Sequence, residues 1–149
     1  AALQEFVKTK NSVADAVLNA KLMYCKEQDI PAVISVDKNI RGLTQMELCC
    51  VLGNLLDNAI EAELKLSKAQ RKIEIKIVMI EEVLDILIRN RIAEPVLQDV
   101  QNVKNIGTTK QDTGNHGFGL KNVREIVKKY DGFMDLYEDS GCFCVHIRI

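Results

Sequence analysis

Hydrophobic and polar positions along the chain separate it into helical and alternating stretches. Ser12 with Asp15 resembles a helix N-terminus. The apolar residues Val13, Val17, Leu18, Leu22 and Cys25 then recur at helical spacing to about Glu27. Residues 31–36 form a short strand candidate, and a turn over 37–42 leads to Thr44. Thr44-x-x-Glu47 is a capping box opening a mostly apolar helix from about Gln45 to Leu66, with Leu48, Val51, Leu52, Leu55, Leu56, Ile60 and Leu64. Residues 72–80 alternate Ile73, Ile75, Ile77 and Met79 with Lys72, Glu74 and Lys76. Residues 83–89 alternate Leu84, Ile86 and Ile88 with Asp85 and Arg89, so the two runs predict a hairpin turning near Glu81–Glu82.

The second half begins with a short helix candidate over 95–101. The stretch from about Asn102 to His116 has no period, and loops this long in a compact domain are usually functional or disordered. A helix from Gly117 to Tyr130 carries Leu120, Val123, Ile126, Val127 and Tyr130 on one stripe, with Gly132 as its stop. Strands over 133–137 and 142–149 close the chain. Three main helices and about five strands, largely antiparallel, predict a two-layer α/β sandwich with the helices on one face of a mixed sheet. Residues 1–11 are polar and weakly patterned and read as the tail of an upstream connection, leaving 12–149 as one domain.

Composition narrows the function. The chain has 149 residues and a formal net charge of −1, which offers no basic field for nucleic acid or an anionic membrane surface. There is no signal peptide and no apolar run of membrane-spanning length, because Glu81, Glu82, Asp85 and Arg89 interrupt the best candidate. The chain begins at Ala1 rather than a methionine, as a fragment of a longer protein would. Five cysteines, with Cys49 beside Cys50 on a helix and Cys142 and Cys144 alternating in a strand, fit reduced cytosolic thiols. Cys142, Cys144 and His146 share a strand face, but a zinc site needs convergent ligands with a turn between pairs. The other face, Phe143, Val145, Ile147 and Ile149, reads as core.

Two features carry chemistry. Residues 107–123, GTTKQDTGNHGFGLKNV, hold four of the chain's eight glycines (Gly107, Gly114, Gly117, Gly119) and run into a helix. The unpartnered N–H groups of a helix start suit phosphate, glycines let the backbone approach it, and Lys110 adds a full charge. The second is LGNLLDNAIEA over 52–62. At roughly 100° per residue, Asn54, Asp57, Asn58, Glu61 and Lys65 fall in one wedge of an otherwise apolar helix. Alone, the wedge would be a solvent-facing stripe. Beside a phosphate-cradling segment it points to a ligand, and an amide oxygen suits Mg²⁺, which binds through phosphates plus one or two protein oxygens.

In this order and separation the two features resemble the ATP-binding catalytic domain of sensor histidine kinases, within the gyrase/Hsp90/histidine-kinase/MutL superfamily and its Bergerat ATP-binding fold. The resemblance spans about Ser12 to Ile149 and is nearest to the branch typified by receptors for quorum-sensing peptide pheromones. LGNLLDNAIEA looks like the family's N box, GTTK like its lid, and HGFGLKNV like its second glycine box. The resemblance implies that Asn58 is the magnesium ligand, that Asn54 supports the phosphates, and that Thr108, Thr109, Lys110, Gly117 and Gly119 surround the β- and γ-phosphates. His116 is then a lid or phosphate contact, and Leu120 adjoins the nucleotide. Asn54, Asn58 and Lys110 would carry the catalysis.

One departure matters. Most relatives have Asp-x-Gly-x-Gly after the central strand, where the Asp accepts a bond from the adenine amino group. Here that place holds Asn90, Arg91 and Ile92, without the glycines. A charge-assisted bond of about 1.5–3 kcal/mol becomes a neutral one of about 0.5–1.5, which implies weak ATP affinity.

The resemblance also implies the reaction and partners. Gyrase-like ATPases carry a glutamate where Asn54 stands, and asparagine is a poor general base, so transfer is favoured over hydrolysis. The only histidines are His116 and His146, with His146 read as structural. The acceptor is then a histidine on a dimerisation domain absent from this chain, with a cognate response regulator downstream. The parent would be a membrane-bound homodimer with this domain in the cytoplasm. Two alternatives stand beside it: an anti-sigma-factor-like serine kinase of the same fold, and a non-catalytic nucleotide-binding module.

Overall fold

The computed structural model describes residues 7–95 and 115–149. Its elements are α1 (Ser12–Glu27), β1 (Ala32–Val36), α2 (Gln45–Leu64), a single 3₁₀ turn (Lys68–Gln70), β2 (Ile73–Ile80), β3 (Val83–Arg91), α3 (Asn115–Lys129), β4 (Phe133–Asp139) and β5 (Cys142–Arg148). The strands form one mixed sheet in the order β1-β2-β3-β5-β4. Only β1 and β2 pair in parallel; the other neighbours are antiparallel. This is the expected α/β fold, a five-stranded sheet with three helices.

Register explains the layering. Ile75, Ile88 and Val145 stand in one row across three strands, and Ile77, Ile86 and Ile147 in the next. All six are nearly or fully buried, and they meet Leu48, Leu52, Leu55, Leu56 and Ile60 of α2 in the core. The opposite pleat carries Glu74, Lys76, Arg89 and Arg148. The β4–β5 turn is tight because Ser140 and Gly141 both adopt positive φ (53° and 75°), as a two-residue hairpin turn requires.

Several local expectations shift. The N-cap of α1 is Asn11, not Ser12: its side chain accepts from the Ala14 N–H at 2.9 Å. Asp15 instead accepts from the Thr9 N–H and hydroxyl. Residues 7–10 are fastened to the domain, with Val7 paired to the Asn19 amide and the Lys10 N–H bonded to the Lys38 carbonyl at 2.8 Å. β3 runs to Arg91, two residues beyond the alternating pattern, because the Arg91 and Ile92 N–H groups find the Lys72 and Gly141 carbonyls. Cys144 on the polar pleat is fully buried, and burial pushes its thiol above the ordinary range. Apart from Pro95, the helix expected over 95–101 lies outside the described residues, as does 102–114 of the unperiodic stretch.

The end of α3 also differs in mechanism. The residue in left-handed conformation is Asp131 (φ 55°), not Gly132. The Gly132 N–H bonds the Val127 carbonyl at 2.8 Å and the Asp131 N–H that of Lys128, the pattern of a Schellman stop. Glycine is needed at 132 for space, since a Cβ there would lie 2.5 Å from the Arg148 carbonyl oxygen.

Candidate functional site

α2 forms one wall of the site. The capping box is complete: Thr44 Oγ1 accepts from the Glu47 N–H, and Glu47 accepts from the Thr44 N–H. Glu47 also binds Lys129 Nζ at 2.6 Å and the Tyr130 hydroxyl, tying the start of α2 to the end of α3. The Lys129 ammonium, the Tyr130 hydroxyl and the Thr44 amide hold the Glu47 carboxyl down at about 2. At the other end of α2, Arg71 donates to the carbonyls of Leu64, Leu66 and Gln28, which satisfies helix-end acceptors of α1 and α2 together.

Between α2, the end of β3 and α3 lies a cavity of about 360 Å³. That is the scale of a small-molecule site. Leu55 and Ala59 of α2, Ile88 of β3, Leu120 of α3, and Phe143 and Val145 of β5 make its walls apolar. Among the described residues, Asn58 and Asn90 are the uncharged polar side chains on it, and Lys65, Arg91 and Glu94 are the charged ones.

Asn90 is 5% exposed, and its Nδ2 donates to Glu63 Oε2 at 3.3 Å and the Arg91 carbonyl at 3.4 Å. Its Oδ1 is left to accept. Asn58 is half-buried, and its Nδ2 is buried without a hydrogen-bond partner. An orphan polar atom of this kind costs about 1–3 kcal/mol, so an amide kept on a cavity wall at that cost fits a ligand group. Whichever way the amide is turned, it offers one donor and one acceptor oxygen. Mg²⁺ is an oxygen-seeking ion that keeps several waters and takes few protein ligands beside substrate phosphates, so one amide oxygen can serve as its protein contact.

The wedge read from the sequence divides in the fold. Asn58 and Lys65 line the cavity, whereas Asp57 is exposed and pairs with Lys21 of α1 at 2.5 Å. Asn54 does not line the cavity. Its Nδ2 bonds the Cys50 carbonyl at 2.8 Å, and its Oδ1 lies against the first turns of α3, 3.1 Å from where a Cβ on Gly119 would stand. Gly119 therefore permits the close approach of α3 to Asn54. α3 begins at Asn115, two residues before the expected start, so His116 and Gly117 fall in its first turn. Thr108, Thr109 and Lys110 lie outside the described residues.

Glu63 escaped sequence reasoning. It is fully buried at the end of α2, with Oε1 accepting from the Lys72 N–H at 2.7 Å. Burial pushes its carboxyl above the usual range, against the Lys72, Asn90 and Arg91 interactions that pull it down. Its signal in the sequence is slight: a glutamate two residues from Glu61, on the apolar side of the helix. On the polar pleat, the Asp85 carboxylate binds His146 Nε2 at 3.0 Å and Arg148 Nε at 2.8 Å, in keeping with a structural His146. Among the described residues there is no group of three or more metal-ligating side chains, no helix long and apolar enough to cross a membrane, and no disulfide; all five cysteines are free.

A family model described as the GHKL domain matches residues 43–149. The chain is 24% identical over 136 residues to a probable C4-dicarboxylate sensor kinase of Bacillus subtilis (strain 168), covering 89% of this chain and 25% of that protein. It is 28% identical over 107 residues to the sensor histidine kinase DpiB of Escherichia coli (strain K12), covering 68% and 19%. It thus spans a quarter or less of the length of these relatives. The nucleotide-free catalytic domain of the histidine kinase ThkA superposes with a TM-score of 0.74 at 21% identity, over 98% of this chain and 97% of that one. The mycobacterial sensor histidine kinase MprB superposes with a TM-score of 0.67 at 18% identity, over 93% of each chain. At these identities the structural likeness establishes the fold.

Proposed function

This chain belongs to the GHKL domain family, the ATP-binding domains of sensor histidine kinases, and on that premise we propose that it binds Mg-ATP in the α2–β3 cavity and passes the γ-phosphate to a histidine on a dimerisation domain outside this chain. The observation that carries the reading is the pair of half-satisfied amides, Asn58 and Asn90, on a cavity whose walls are otherwise mainly apolar. The apolar walls take a purine base, and the Asn90 oxygen accepts from its amino group. Asn58 binds Mg²⁺, which supplies charge neutralisation on the phosphates. Asn54, packed beside Gly119, supports the phosphates from the α2–α3 contact. Thr108, Thr109, Lys110, His116 and Gly117 complete the phosphate cradle, with Lys110 neutralising charge in transfer.

Transfer is favoured over hydrolysis because neither Asn54 nor Asn58 can act as a general base. The acceptor lies elsewhere: His146 is engaged by Asp85 on the pleat away from the cavity, and His116 sits in the first turn of α3. The parent is proposed to be a membrane-bound homodimer with this domain in the cytoplasm, feeding a response regulator. Placement in the pheromone-receptor branch rests on Asn90 and the missing glycines alone.

The test is thermal unfolding with and without Mg-ATP. Ligand at about 100 times its Kd adds roughly 2.7 kcal/mol, so Tm should rise by several degrees. No shift at millimolar nucleotide would sink the reading. Incubation with an added histidine-bearing dimerisation domain should then yield acid-labile, base-stable phosphate on that domain. Acid-stable phosphate on a serine would favour the anti-sigma-type alternative.

A further inference from the structure

Glu63 has no part in the reading above, yet it is a fully buried carboxyl beside the one side chain assigned to the base. Its two oxygens are committed differently. Oε1 accepts the Lys72 N–H at 2.7 Å, which leaves Oε2 facing Asn90 at 3.3 Å. The Arg91 carbonyl lies 3.4 Å from the same Asn90 nitrogen. With Glu63 ionised, two groups that only accept flank one end of the Asn90 amide. Only the NH₂ end can sit there, because an amide oxygen would face two acceptors. The amide is otherwise free to turn end for end, which exchanges a donor for an acceptor at the cavity wall.

We infer that Glu63 is a positioning residue that locks the Asn90 oxygen toward the cavity, and that this pair selects a 6-amino purine over a 6-oxo purine. The inference rests on the proposed nucleotide site and adds the residue that enforces its preference for an amino group at position 6 of the base. Position 6 is a donor in adenine and an acceptor in hypoxanthine or guanine. An oxygen held on the cavity wall satisfies the first and opposes the second. The Arg91 carbonyl favours the same orientation from the next residue, and Glu63 adds the second acceptor, without which asparagine tolerates either base by turning over. The orientation is thus fixed in part by a residue 27 positions away that does not line the cavity.

The experiment compares ATP with ITP, which replaces the 6-amino group by an oxygen, by calorimetric titration of the chain with Mg²⁺. It is run across a pH series, because burial shifts the Glu63 carboxyl upward and only its ionised form locks the Asn90 amide. The wild-type chain should prefer ATP by about tenfold or more, the worth of one buried hydrogen bond made with one ligand and lost with the other. In Glu63→Gln, the Lys72 N–H holds the new side-chain oxygen and turns the new NH₂ toward Asn90. That rewards the reversed amide, so the ATP preference should fall by about tenfold. Adding Asn90→Asp to Glu63→Gln should restore it, since a carboxylate accepts from the substituted amide and from the base at once.

Equal binding of ATP and ITP by the wild type, an unchanged preference in Glu63→Gln, or no recovery in the double variant overturns the inference and leaves the nucleotide site standing. Binding of neither nucleotide by the wild type overturns both. A further arm needs no variant. In the ¹⁵N-labelled wild-type chain, the Asn90 side-chain amide protons should show Overhauser contacts to Glu63 in the free and ATP-bound states. Contacts to the bound purine in their place also overturn the inference.

Discussion

Replacing Asn58 with alanine should make the empty chain more stable and the nucleotide-loaded chain less stable than the wild type. Asn58 sits inside α2, half-buried, with an Nδ2 that is buried and unpartnered. Truncation removes that orphan, which costs the wild type about 1–3 kcal/mol. It also replaces a poor helix former by the best one, a gain of up to about 0.7 kcal/mol. Against this stands the loss of a partly buried side chain's contacts, which we set at about 1 kcal/mol. The net is a gain of about 1 kcal/mol, or roughly 2–5 °C in Tm for a domain of this size. Mg-ATP at about 100 times the wild-type Kd should reverse the order, because the wild type gains roughly 2.7 kcal/mol and the variant far less. The assay is a thermal melt of both chains with and without Mg-ATP, followed by phosphotransfer to an added histidine-bearing domain, which the variant should no longer support. A lower Tm for the empty variant would show that Asn58 holds the fold rather than a ligand. A retained Mg-ATP shift, or unchanged transfer, would remove it from the site.

Two further outcomes test the frame around the site. Glu47→Gln should lower Tm at neutral pH, and the gap from the wild type should close in acid. The Glu47 carboxyl is lowered from 4.5 to about 2, so its contribution is complete above pH 4.5 and is lost as pH falls through about 2; a gap that persists at pH 2 would refute this. Gly132→Ala should destabilise by about 1–3 kcal/mol, because its Cβ would stand 2.5 Å from the carbonyl of Arg148, a residue paired to strands on both sides; Gly53→Ala, with nothing within 4 Å, serves as the control and should be neutral or stabilising by chemical denaturation.

What the sequence determined by itself is what short-range pattern encodes. Period, capping box and turn residues located the three described α-helices and the five strands but not the 3₁₀ turn at Lys68–Gln70, and the twofold alternation in β2, β3 and β5 identified the pleat that faces the helices. Asn58 stands out because it breaks the apolar code of its helix, whereas Asn90 stands out only through the family resemblance, at the place where most relatives carry an aspartate. Boundaries moved where long-range partners decided them. β3 extends to Arg91 because carbonyls of Lys72 and Gly141 lie alongside, and α1 is capped by Asn11 because Asp15 is engaged by Thr9.

Only the tertiary structure separated the polar wedge of α2 into a cavity side and a side facing α1, since Asp57 meets a lysine 36 residues away. Only it showed that Gly132 is required for space rather than for its dihedral angles. Glu63 was the largest omission. A helix pattern shows that a glutamate lies on the buried side, where it looks like a flaw, but not that a strand amide and an asparagine come to meet it. Burial makes a polar group costly and hydrogen bonds repay that cost, and the partners of those bonds belong to the fold rather than to the neighbouring sequence.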